Sequence, residues 1–521
     1  MSQTAATLIT RQLGRTQRFV TTFGLGGQAS LMLALPGVDP IEVITKAFQL
    51  GITYFDTSNA YGPSQAHYGT AFRRLGLTPG SANYDLRARE RIYLASKTHM
   101  RTTRHPTGQP WRSDYSDGMS EGVSTATDDV RRSLSIIFGD GTGRYPENAY
   151  LDCIQIHNIT AQDDVDMIYE GLDAPDPNAA WLGALAGLLD IREGSNRSGA
   201  NPKRERLVRH IGITGHYNAA ALMYAIRRDS PRILDTLLVA LNPSSAGFFD
   251  HRYNSVPVAA AAGMGIIAMK VFLDAVYYGE PATFVRSPQS VCQRVGTTPV
   301  SSEELIQYAL SIPGVTACLT GIGKIDASDD PAKCQLAANL TAAQLKTPLS
   351  SAVMFDIEAR IAAAGLGKNE YLQRLSVGLT PPRNVGAESD TAGFSPSTPE
   401  PRPAIRISWD TAYAGTAPLV RYDVLRDGIV IGSVPHQPQY SCRRFVFEDV
   451  FQALPLDAAG AAPARDPLAE GEVGSGPGWT QQRSSHEEIP HVAAVGRYTY
   501  LVRSIDALNH FADSVPIEAA P

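Results

Sequence analysis

The chain has 521 residues, of which 43% are hydrophobic and 19% are charged, and its formal net charge is −6. This length and composition predict a soluble globular protein with more than one domain and a large hydrophobic core. The acidic balance and the absence of a basic run argue against a nucleic acid or an anionic membrane as a partner.

The cysteines argue against a disulfide framework or a zinc site. They are odd in number, widely scattered and without CxxC or Cys/His ligand spacing, so no metal is expected. They are Cys153, Cys292, Cys318, Cys334 and Cys442. The first 22 residues contain no apolar run typical of a signal peptide, and no segment is long enough to cross a membrane. A reduced, cytoplasmic protein is therefore the expectation.

Strand-like and helix-like patterns alternate through the first two thirds of the chain. After a hairpin over residues 8–16, strands are predicted over residues 19–25, 52–55, 91–96, 150–156, 207–213, 235–241, 265–271 and 315–320. Helices are predicted over residues 41–50, 64–75, 121–138, 179–192, 219–228, 256–262, 302–310 and 332–340. Eight apolar strands, each followed by a helix, predict an α/β fold with a parallel sheet closed into a (β/α)₈ TIM barrel.

The alternative to a barrel is a doubly wound open sheet. Its dinucleotide fingerprint needs a third glycine at a fixed spacing, and Gly24-Leu-Gly-Gly27 lacks it. The barrel is therefore favoured.

The pattern changes beyond residue 340. A helix over residues 351–364 is predicted to pack on the barrel, and the proline-rich residues 380–403 are typical of a linker. Residues 404–410, 420–431 and 497–506 alternate with period two, which predicts strands, and residues 454–490 are predicted to be a loop. The domains predicted are thus a barrel over residues 1–379, the linker over 380–403 and a small all-β sandwich over 404–521.

The C-terminal strands resemble those of a fibronectin type III sandwich. Trp409 lies on an early strand, Tyr498 and Tyr500 lie on a late one, and Arg426-Asp-Gly428 is a hairpin signal. This part of the sequence shows no grouping of catalytic residue types, and it is interpreted as a structural or binding module.

Four polar residues follow three adjacent barrel strands. Asp56 ends the second strand, Tyr61 lies in the loop after it, Lys97 ends the third strand and His157 ends the fourth. Each has a simple structural alternative: a helix-capping aspartate, a turn tyrosine, a solvated lysine and a hydrogen-bonded rim histidine. In a barrel, however, these strand ends meet at one mouth, where active sites are built. The coincidence predicts an acid–base site.

The motifs that carry these residues resemble the aldo-keto reductases, which are NAD(P)H-dependent barrels. The similarity covers residues 9–340, and its motifs follow the family's order. They are Arg11-Gln-Leu-Gly-Arg-Thr16, Gly24-Leu-Gly-Gly27, Gly51-Ile-Thr-Tyr-Phe-Asp-Thr-Ser-Asn-Ala-Tyr-Gly62, Ala95-Ser-Lys97, Leu151-Asp-Cys-Ile-Gln-Ile-His157 and His210-Ile-Gly-Ile-Thr214. The resemblance implies an oxidoreductase that interconverts a carbonyl and an alcohol by hydride transfer.

The resemblance also implies a role for each of the four residues. Tyr61 is the general acid, Lys97 and Asp56 tune it, and His157 orients the substrate. A phenol has a pKa of about 10, and a neighbouring ammonium lowers it, which suits a proton donor at neutral pH. Asp56 would keep Lys97 charged and in place.

The cofactor residues implied by the resemblance lie after the first, fifth and eighth strands and in the last helix. They are Gly26, Thr214, Thr320, Gly321, Gly323, Lys324 and Asn339. NADP is the expected cofactor and NAD the alternative, because Lys324 is equally consistent with a surface lysine. The family usually places Ser-Asn after the fifth strand, whereas this chain has Thr214-Gly-His216, in which Gly215 supplies no amide.

Long loops are predicted at the mouth over residues 78–89, 100–119, 139–147, 194–203 and 273–300. Trp111, Tyr115 and Tyr217 either line a pocket for a small-molecule carbonyl or alcohol, such as a sugar, or pack against one another. The functional alternative to an enzyme is a catalytically silent barrel that acts as a binding or subunit protein. Whether the chain forms a homo-oligomer is left open.

Overall fold

The structure is a computed structural model. It describes residues 8–33, 37–106, 125–160, 162–216, 218–230, 232–244, 251–252, 254–273, 299–323, 325–365, 379–392, 402–410, 412, 419–436, 444–451, 496–506 and 508–521. The chain divides into two compact units, the first over Met1–Gly378 and the second over Leu379–Ala412, Leu419–His436 and Arg444–Pro521.

The strands of the first unit are Thr10–Gln12 (β1), Phe19–Thr21 (β2), Phe23–Leu25 (β3), Tyr54–Asp56 (β4), Tyr93–Thr98 (β5), Thr102–Arg104 (β6), Leu151–Ile156 (β7), Leu182–Gly183 (β8), Val208–Gly215 (β9), Leu234–Ala240 (β10), Gly265–Met269 (β11) and Val315–Thr320 (β12). Its α-helices are Pro40–Gln49 (α1), Ser64–Arg74 (α2), Leu86–Arg91 (α3), Ala126–Phe138 (α4), Gln162–Tyr169 (α5), Ala184–Glu193 (α6), Ala219–Arg228 (α7), Ser255–Ala261 (α8), Ser302–Ser311 (α9), Gln335–Ala342 (α10) and Ser351–Ala363 (α11).

Eight of these strands form a closed barrel in the order β10-β11-β12-β3-β4-β5-β7-β9. Every neighbouring pair in the barrel is parallel, including β12 with β3, which closes it. The predicted (β/α)₈ barrel is confirmed. Because parallel strands share one direction, their carboxyl ends all open at the same mouth.

Period-two alternation divides the barrel residues between two cores. Tyr54, Tyr93 and Cys153 point into the barrel interior. Their neighbours Phe55 and Leu94 belong instead to the larger core beneath the helices. The strands read as continuous apolar runs because both of their faces are covered.

The β1–β2 hairpin contributes Leu13 and Val20 to the interior core. Its tip lies against the start of β11, where a Cβ on Gly265 would lie 2.6 Å from Leu13 Cδ1. Since Gly265 begins its strand, the hairpin packs at the amino-terminal end of the barrel. The opposite end is left for the site.

The prediction of long mouth loops was wrong for three of its five segments. Residues 78–89, 139–147 and 194–203 each follow a helix and precede a barrel strand, so they join the barrel at the end opposite the mouth. The first of them also contains most of α3, a helix that the sequence analysis missed. Most of the other two segments, with Trp111 and Tyr115, lies outside the described residues, as does Tyr217.

The second unit consists of antiparallel strands: Arg383–Ala392 (β13), Arg402–Asp410 (β14), Leu419–Arg426 (β15), Ile429–Pro435 (β16), Phe445–Val450 (β17), Tyr498–Asp506 (β18), Phe511–Asp513 (β19) and Ile517–Ala519 (β20). They form a three-stranded sheet, β13-β14-β17, and a five-stranded sheet, β16-β15-β18-β19 with β20 also paired to β18. Residues from both sheets share one core. The fold class, a TIM barrel followed by an all-β domain, is thereby confirmed.

The core of the second unit is centred on Trp409, whose ring stacks on Phe445 with centroids 5.9 Å apart. The hairpin signal is also confirmed, because Asp427 and Gly428 both have positive φ between β15 and β16. The linker prediction was wrong over Arg383–Ala392, which is strand β13 and pairs with β14. Its polar, glycine-containing sequence concealed an edge strand, which hydrogen-bonds on one side only. The predicted loop over residues 454–490 lies outside the described residues.

None of the helices in the described residues has both the length and the hydropathy that a membrane span requires.

Candidate active site

The four predicted catalytic residues lie at the mouth of the barrel. Asp56 is the last residue of β4, Lys97 is the penultimate residue of β5, and His157 directly follows β7. Tyr61 lies in the loop between β4 and α2. All four are buried, with exposed fractions of 3% for Asp56, 0% for Lys97, 6% for His157 and 7% for Tyr61.

Lys97 and Asp56 form a buried ion pair. The Lys97 ammonium donates to Asp56 Oδ1 and to the carbonyl oxygen of Thr57, at 2.9 Å. Burial lowers the pKa of Lys97 below its usual value, and the charge of Asp56 opposes that shift. Burial likewise raises the pKa of Asp56, against the effect of Lys97. Each of these two buried side chains therefore stays ionised only because the opposite charge lies beside it.

Tyr61 lies between the cation and the imidazole. Lys97 Nζ is 4.7 Å from the centroid of the Tyr61 ring. The ring meets His157 edge to face, with centroids 5.9 Å apart. The structure thus brings all four residues into one group, with the phenol in contact range of both the ammonium and the imidazole.

The loop that carries Tyr61 is anchored from helix α4. Asn59 Nδ2 donates to both carboxylate oxygens of Asp129, at 2.8 and 2.7 Å. Burial raises the pKa of Asp129 to about 7, an effect that its hydrogen bonds and Arg132 only partly oppose. Gly62 follows with φ of +47°, a region where a side chain would be strained. The position of Tyr61 therefore depends on a helix distant in sequence.

Two residues beside His157 were missed by the sequence analysis. His99 Nε2 lies 2.6 Å from His157 Nδ1. Arg101, which is fully buried, donates to the carbonyl oxygens of His157 and Asn158, at 2.8 and 3.0 Å. The signal was available for His99: it comes two residues after Lys97, so period-two alternation directs it to the same face.

A second cluster lies after β9 and β11. His216 is 7% exposed, and its buried Nδ1 has no hydrogen-bond partner among the described residues. Burial, followed by the charges of Lys270, His251 and Lys97, lowers the pKa of His216 well below its usual value. Lys270 Nζ donates to Gln28 Oε1 at 3.2 Å. His216 therefore faces the same charged mouth as Lys97 and is neutral there.

Gly26 and Thr320, two of the predicted cofactor residues, lie together at the ends of β3 and β12, and Asn339 of helix α10 contacts Thr320. Gly26 N donates to the carbonyl oxygen of Thr320 at 3.0 Å, and Asn339 Nδ2 donates to Thr320 Oγ1 at 3.2 Å. Asn339 is 1% exposed, and its Oδ1 has no partner among the described residues. A Cβ on Gly321 would lie 2.9 Å from Ala29 Cβ. Gly323 is buried, and Lys324 lies outside the described residues.

Thr214 lies elsewhere in the mouth, at the end of β9. Its Oγ1 accepts a hydrogen bond from the backbone N–H of Asn158, at 2.8 Å. The next residue, Gly215, is closely packed, since a Cβ there would lie 2.7 Å from Leu222 Cδ1. A larger side chain at position 215 would therefore displace Leu222, and the first polar side chain after Gly215 is that of His216, just beyond the end of β9.

No group of three or more His, Cys, Asp or Glu side chains in the described residues is arranged to hold a metal ion.

Comparison with known proteins gives a family and several structures of similar proteins. Solved structures that resemble the chain include an aldo-keto reductase from Bacillus halodurans in its apo form, with 17% identity and a TM-score of 0.39 over 68% of this chain and 96% of that chain. An aldo-keto reductase from Klebsiella pneumoniae in complex with NADPH has 16% identity and a TM-score of 0.39 over 68% of this chain and 95% of that chain. One from Bombyx mori in complex with NADP has 16% identity and a TM-score of 0.39 over 68% of this chain and 93% of that chain. No curated protein sequence matches the chain significantly.

The family assignment comes from the sequence of the barrel. Residues 22–281 match the model of the aldo/keto reductase family. The matched segment includes Asp56, Tyr61, Lys97 and His157, and it runs from before β3 to beyond β11. The barrel of this chain therefore contains an aldo/keto reductase family domain.

Proposed function

We propose that the protein is an NADP-dependent oxidoreductase that interconverts a small-molecule carbonyl and the corresponding alcohol, with NAD as the alternative cofactor. The observation that carries the proposal is the buried group at the mouth, in which Tyr61 lies against both Lys97 and His157. A structural ion pair alone would not need a phenol and an imidazole beside it. Family membership and the NADP complexes of the similar proteins support the same chemistry.

Tyr61 is the proton donor in this proposal. In the reductive direction its O–H gives a proton to the carbonyl oxygen as that oxygen gains negative charge, and solvent later returns the proton. The phenolate that remains is stabilised by the Lys97 ammonium, which Asp56 holds in its charged form. In the oxidative direction the same oxygen accepts the proton of the alcohol.

His157 orients the carbonyl. One of its ring nitrogens contacts His99, and in this proposal the other donates to the substrate oxygen. A neutral imidazole suits this role, and burial lowers the pKa of His157 well below its usual range. Its donor would bind the oxygen in the position where Tyr61 protonates it.

The residues at the mouth fit a nicotinamide cofactor. Asn339 Oδ1 and His216 Nδ1 are buried polar atoms without partners among the described residues, and such atoms are satisfied when a polar ligand binds. Gly26, Thr320, Gly321, Gly323 and Lys324 would hold the phosphate-bearing part, while Thr214 and His216 would hold the carboxamide. The bound cofactor supplies the hydride, which reduces the carbonyl carbon as the cofactor is oxidised.

We also propose that the second unit is a fibronectin type III-like module that takes no part in the chemistry. Two antiparallel sheets packed around Trp409 support this assignment.

Tyr61→Phe tests the proposed function. The change keeps the ring and removes only the donor, so aldehyde reduction should fall by roughly 10²- to 10⁴-fold, as expected for the loss of a general acid. NADPH binding, measured by nicotinamide fluorescence, should be retained. Tyr93→Phe is the matched control, because that phenol lies in the barrel interior and its loss should leave turnover unchanged. Full activity of Tyr61→Phe would rule out Tyr61 as the acid. A wild type that binds neither NADPH nor NADH would favour the silent-barrel alternative.

A further inference from the structure

His99 and His157 form a buried imidazole pair at the carboxyl ends of β5 and β7. His157 Nδ1 lies 2.6 Å from His99 Nε2, and the ring centroids are 4.2 Å apart. Both side chains are buried, with exposed fractions of 3% for His99 and 6% for His157. Two ring nitrogens at this distance share a hydrogen bond, so one of them must donate and the other accept.

A single guanidinium fixes the backbone of both histidines. Arg101 donates through Nη2 to the carbonyl oxygen of His157, at 2.8 Å, and through Nη1 to that of His99, at 3.3 Å. Its Nε donates to Asp164 Oδ1 at 3.0 Å, which holds the guanidinium in turn. Because the guanidinium is planar and rigid, it sets the spacing of the two residues. The imidazole contact is thus built into the fold.

Both imidazoles are neutral at physiological pH. Burial, with the charges of Arg101 and Lys97, lowers the pKa of His99 to about 3. Burial, with His99 and Lys97 as the next causes, lowers the pKa of His157 well below its usual value. A neutral imidazole carries one N–H. Whether His99 or His157 donates in this contact therefore decides whether His157 Nε2 is a hydrogen-bond donor or an acceptor.

The two arrangements have opposite consequences for a carbonyl ligand. If His157 donates from Nδ1, its Nε2 presents a lone pair to the lone pairs of the carbonyl oxygen, and the two repel. If His99 donates from Nε2, His157 accepts at Nδ1 and carries its hydrogen on Nε2. Only the second arrangement gives the oxygen a hydrogen-bond donor.

We propose that His99 donates its Nε2–H to His157 Nδ1 and so holds His157 in the tautomer whose Nε2–H binds the carbonyl oxygen. His99 is then a positioning residue, which acts on the substrate through His157. The inference rests on the proposed function, because it takes the ligand of His157 to be a carbonyl compound.

The tautomer can be measured without any turnover. In the full chain with ¹⁵N-labelled histidine rings, long-range ¹H–¹⁵N correlation distinguishes protonated from unprotonated ring nitrogens, and the His157 signals are those lost in His157→Gln. We expect Nε2 of His157 to be protonated and Nδ1 unprotonated at neutral pH. A protonated Nδ1 would overturn the inference. Because this result does not depend on catalysis, failure of the proposed function would appear separately, as a wild type that reduces no carbonyl.

Three substitutions of similar reach separate positioning from simple packing. His99→Gln keeps an N–H donor, His99→Glu offers a carboxylate that only accepts when it is ionised, and His99→Leu offers neither. The variants are therefore compared at about pH 9, above the raised pKa that burial gives a carboxyl group. We expect kcat/KM for an aldehyde to fall less than about fivefold in the glutamine variant, the size of one weakened neutral hydrogen bond. It should fall by about 100-fold in the other two, as when one donor to a developing oxyanion is lost. NADPH affinity should not change.

A purely structural role for His99 predicts a different result. Losses of activity would then follow the melting temperatures of the three variants, whether or not each retains a donor. Equal activity in the glutamine and glutamate variants would also overturn the inference. If a variant does not fold, the tautomer of His157 measured in the wild type still decides whether the inference holds.

Discussion

Replacing Lys97 by methionine should separate the structural role of the Lys97–Asp56 ion pair from its chemical role. The side chains of the pair are 1% and 5% exposed, so Lys97→Met leaves the Asp56 carboxylate buried without its cation. Removing one partner of such a pair costs about 3 to 5 kcal/mol of unfolding free energy, mostly through the uncompensated charge. Turnover should also fall, by about 10²-fold or more, because the phenolate of Tyr61 loses its stabilising charge.

The double variant Asp56→Asn/Lys97→Met should recover most of the stability but not the turnover. With both charges removed, the remaining groups differ little from a neutral core, so the unfolding free energy should return to within about 2 kcal/mol of the wild type. The penalty of the single variant should also shrink as pH falls. Burial already raises the pKa of Asp56 in the wild type, and a protonated carboxyl at low pH leaves no unpaired charge.

The assay is chemical unfolding of the full chain, followed through the barrel transition, beside aldehyde reduction with NADPH. Arg89 and Asp152 provide the matched control, because they form a fully buried pair at 2.7 Å that does not include a proposed site residue. Asp152 Oδ1 also lies 3.9 Å from Arg18 and 3.6 Å from Arg209, so Arg89→Met should destabilise by less than Lys97→Met. Both Arg89→Met and Arg89→Met/Asp152→Asn should keep their turnover. If Asp56→Asn/Lys97→Met were as unstable as Lys97→Met, the unpaired-charge argument would be refuted. If it regained turnover, Lys97 would have no chemical role.

Three further predictions concern the loop anchor and the cofactor. The folded-state pKa of Asp129, about 7, exceeds that of an unfolded aspartate, so the folded chain binds the extra proton and stability should fall by roughly 3 kcal/mol between pH 4 and pH 7. Asp129→Asn should lose this slope in unfolding measurements, and an unchanged slope would assign it to another group. His216→Phe should weaken NADPH binding about fivefold, the contribution of one neutral hydrogen bond, whereas His216→Gln should leave the affinity unchanged. Equal NADPH affinities for the two variants in fluorescence titrations would show that His216 does not contact the cofactor. Lys324→Ala should weaken NADPH several-fold more than NADH, because a solvated charge contact contributes about 1 kcal/mol or less; equal losses would show that Lys324 does not contact the phosphate.

The sequence alone determined which residues end the barrel strands. Period-two alternation and continuous apolar runs follow from contacts between a strand and its two covered faces, and these are readable one element at a time. That is why the positions of Asp56, Lys97 and His157 along the chain were enough to assign them to one mouth. The same rule, continued two residues beyond Lys97 and Thr214, would also have indicated His99 and His216.

The tertiary structure alone decided how these residues contact one another. The bonds from Asn59 to Asp129 and from Arg101 to His157 join residues 70 and 56 positions apart, and such contacts depend on the register and closure of the barrel. It also decided which loops reach the mouth, because that depends on whether a segment follows a strand or a helix. A local sequence pattern indicates the face of the strand on which a side chain lies. The distance between two side chains on different strands is set by the packing of all the elements between them.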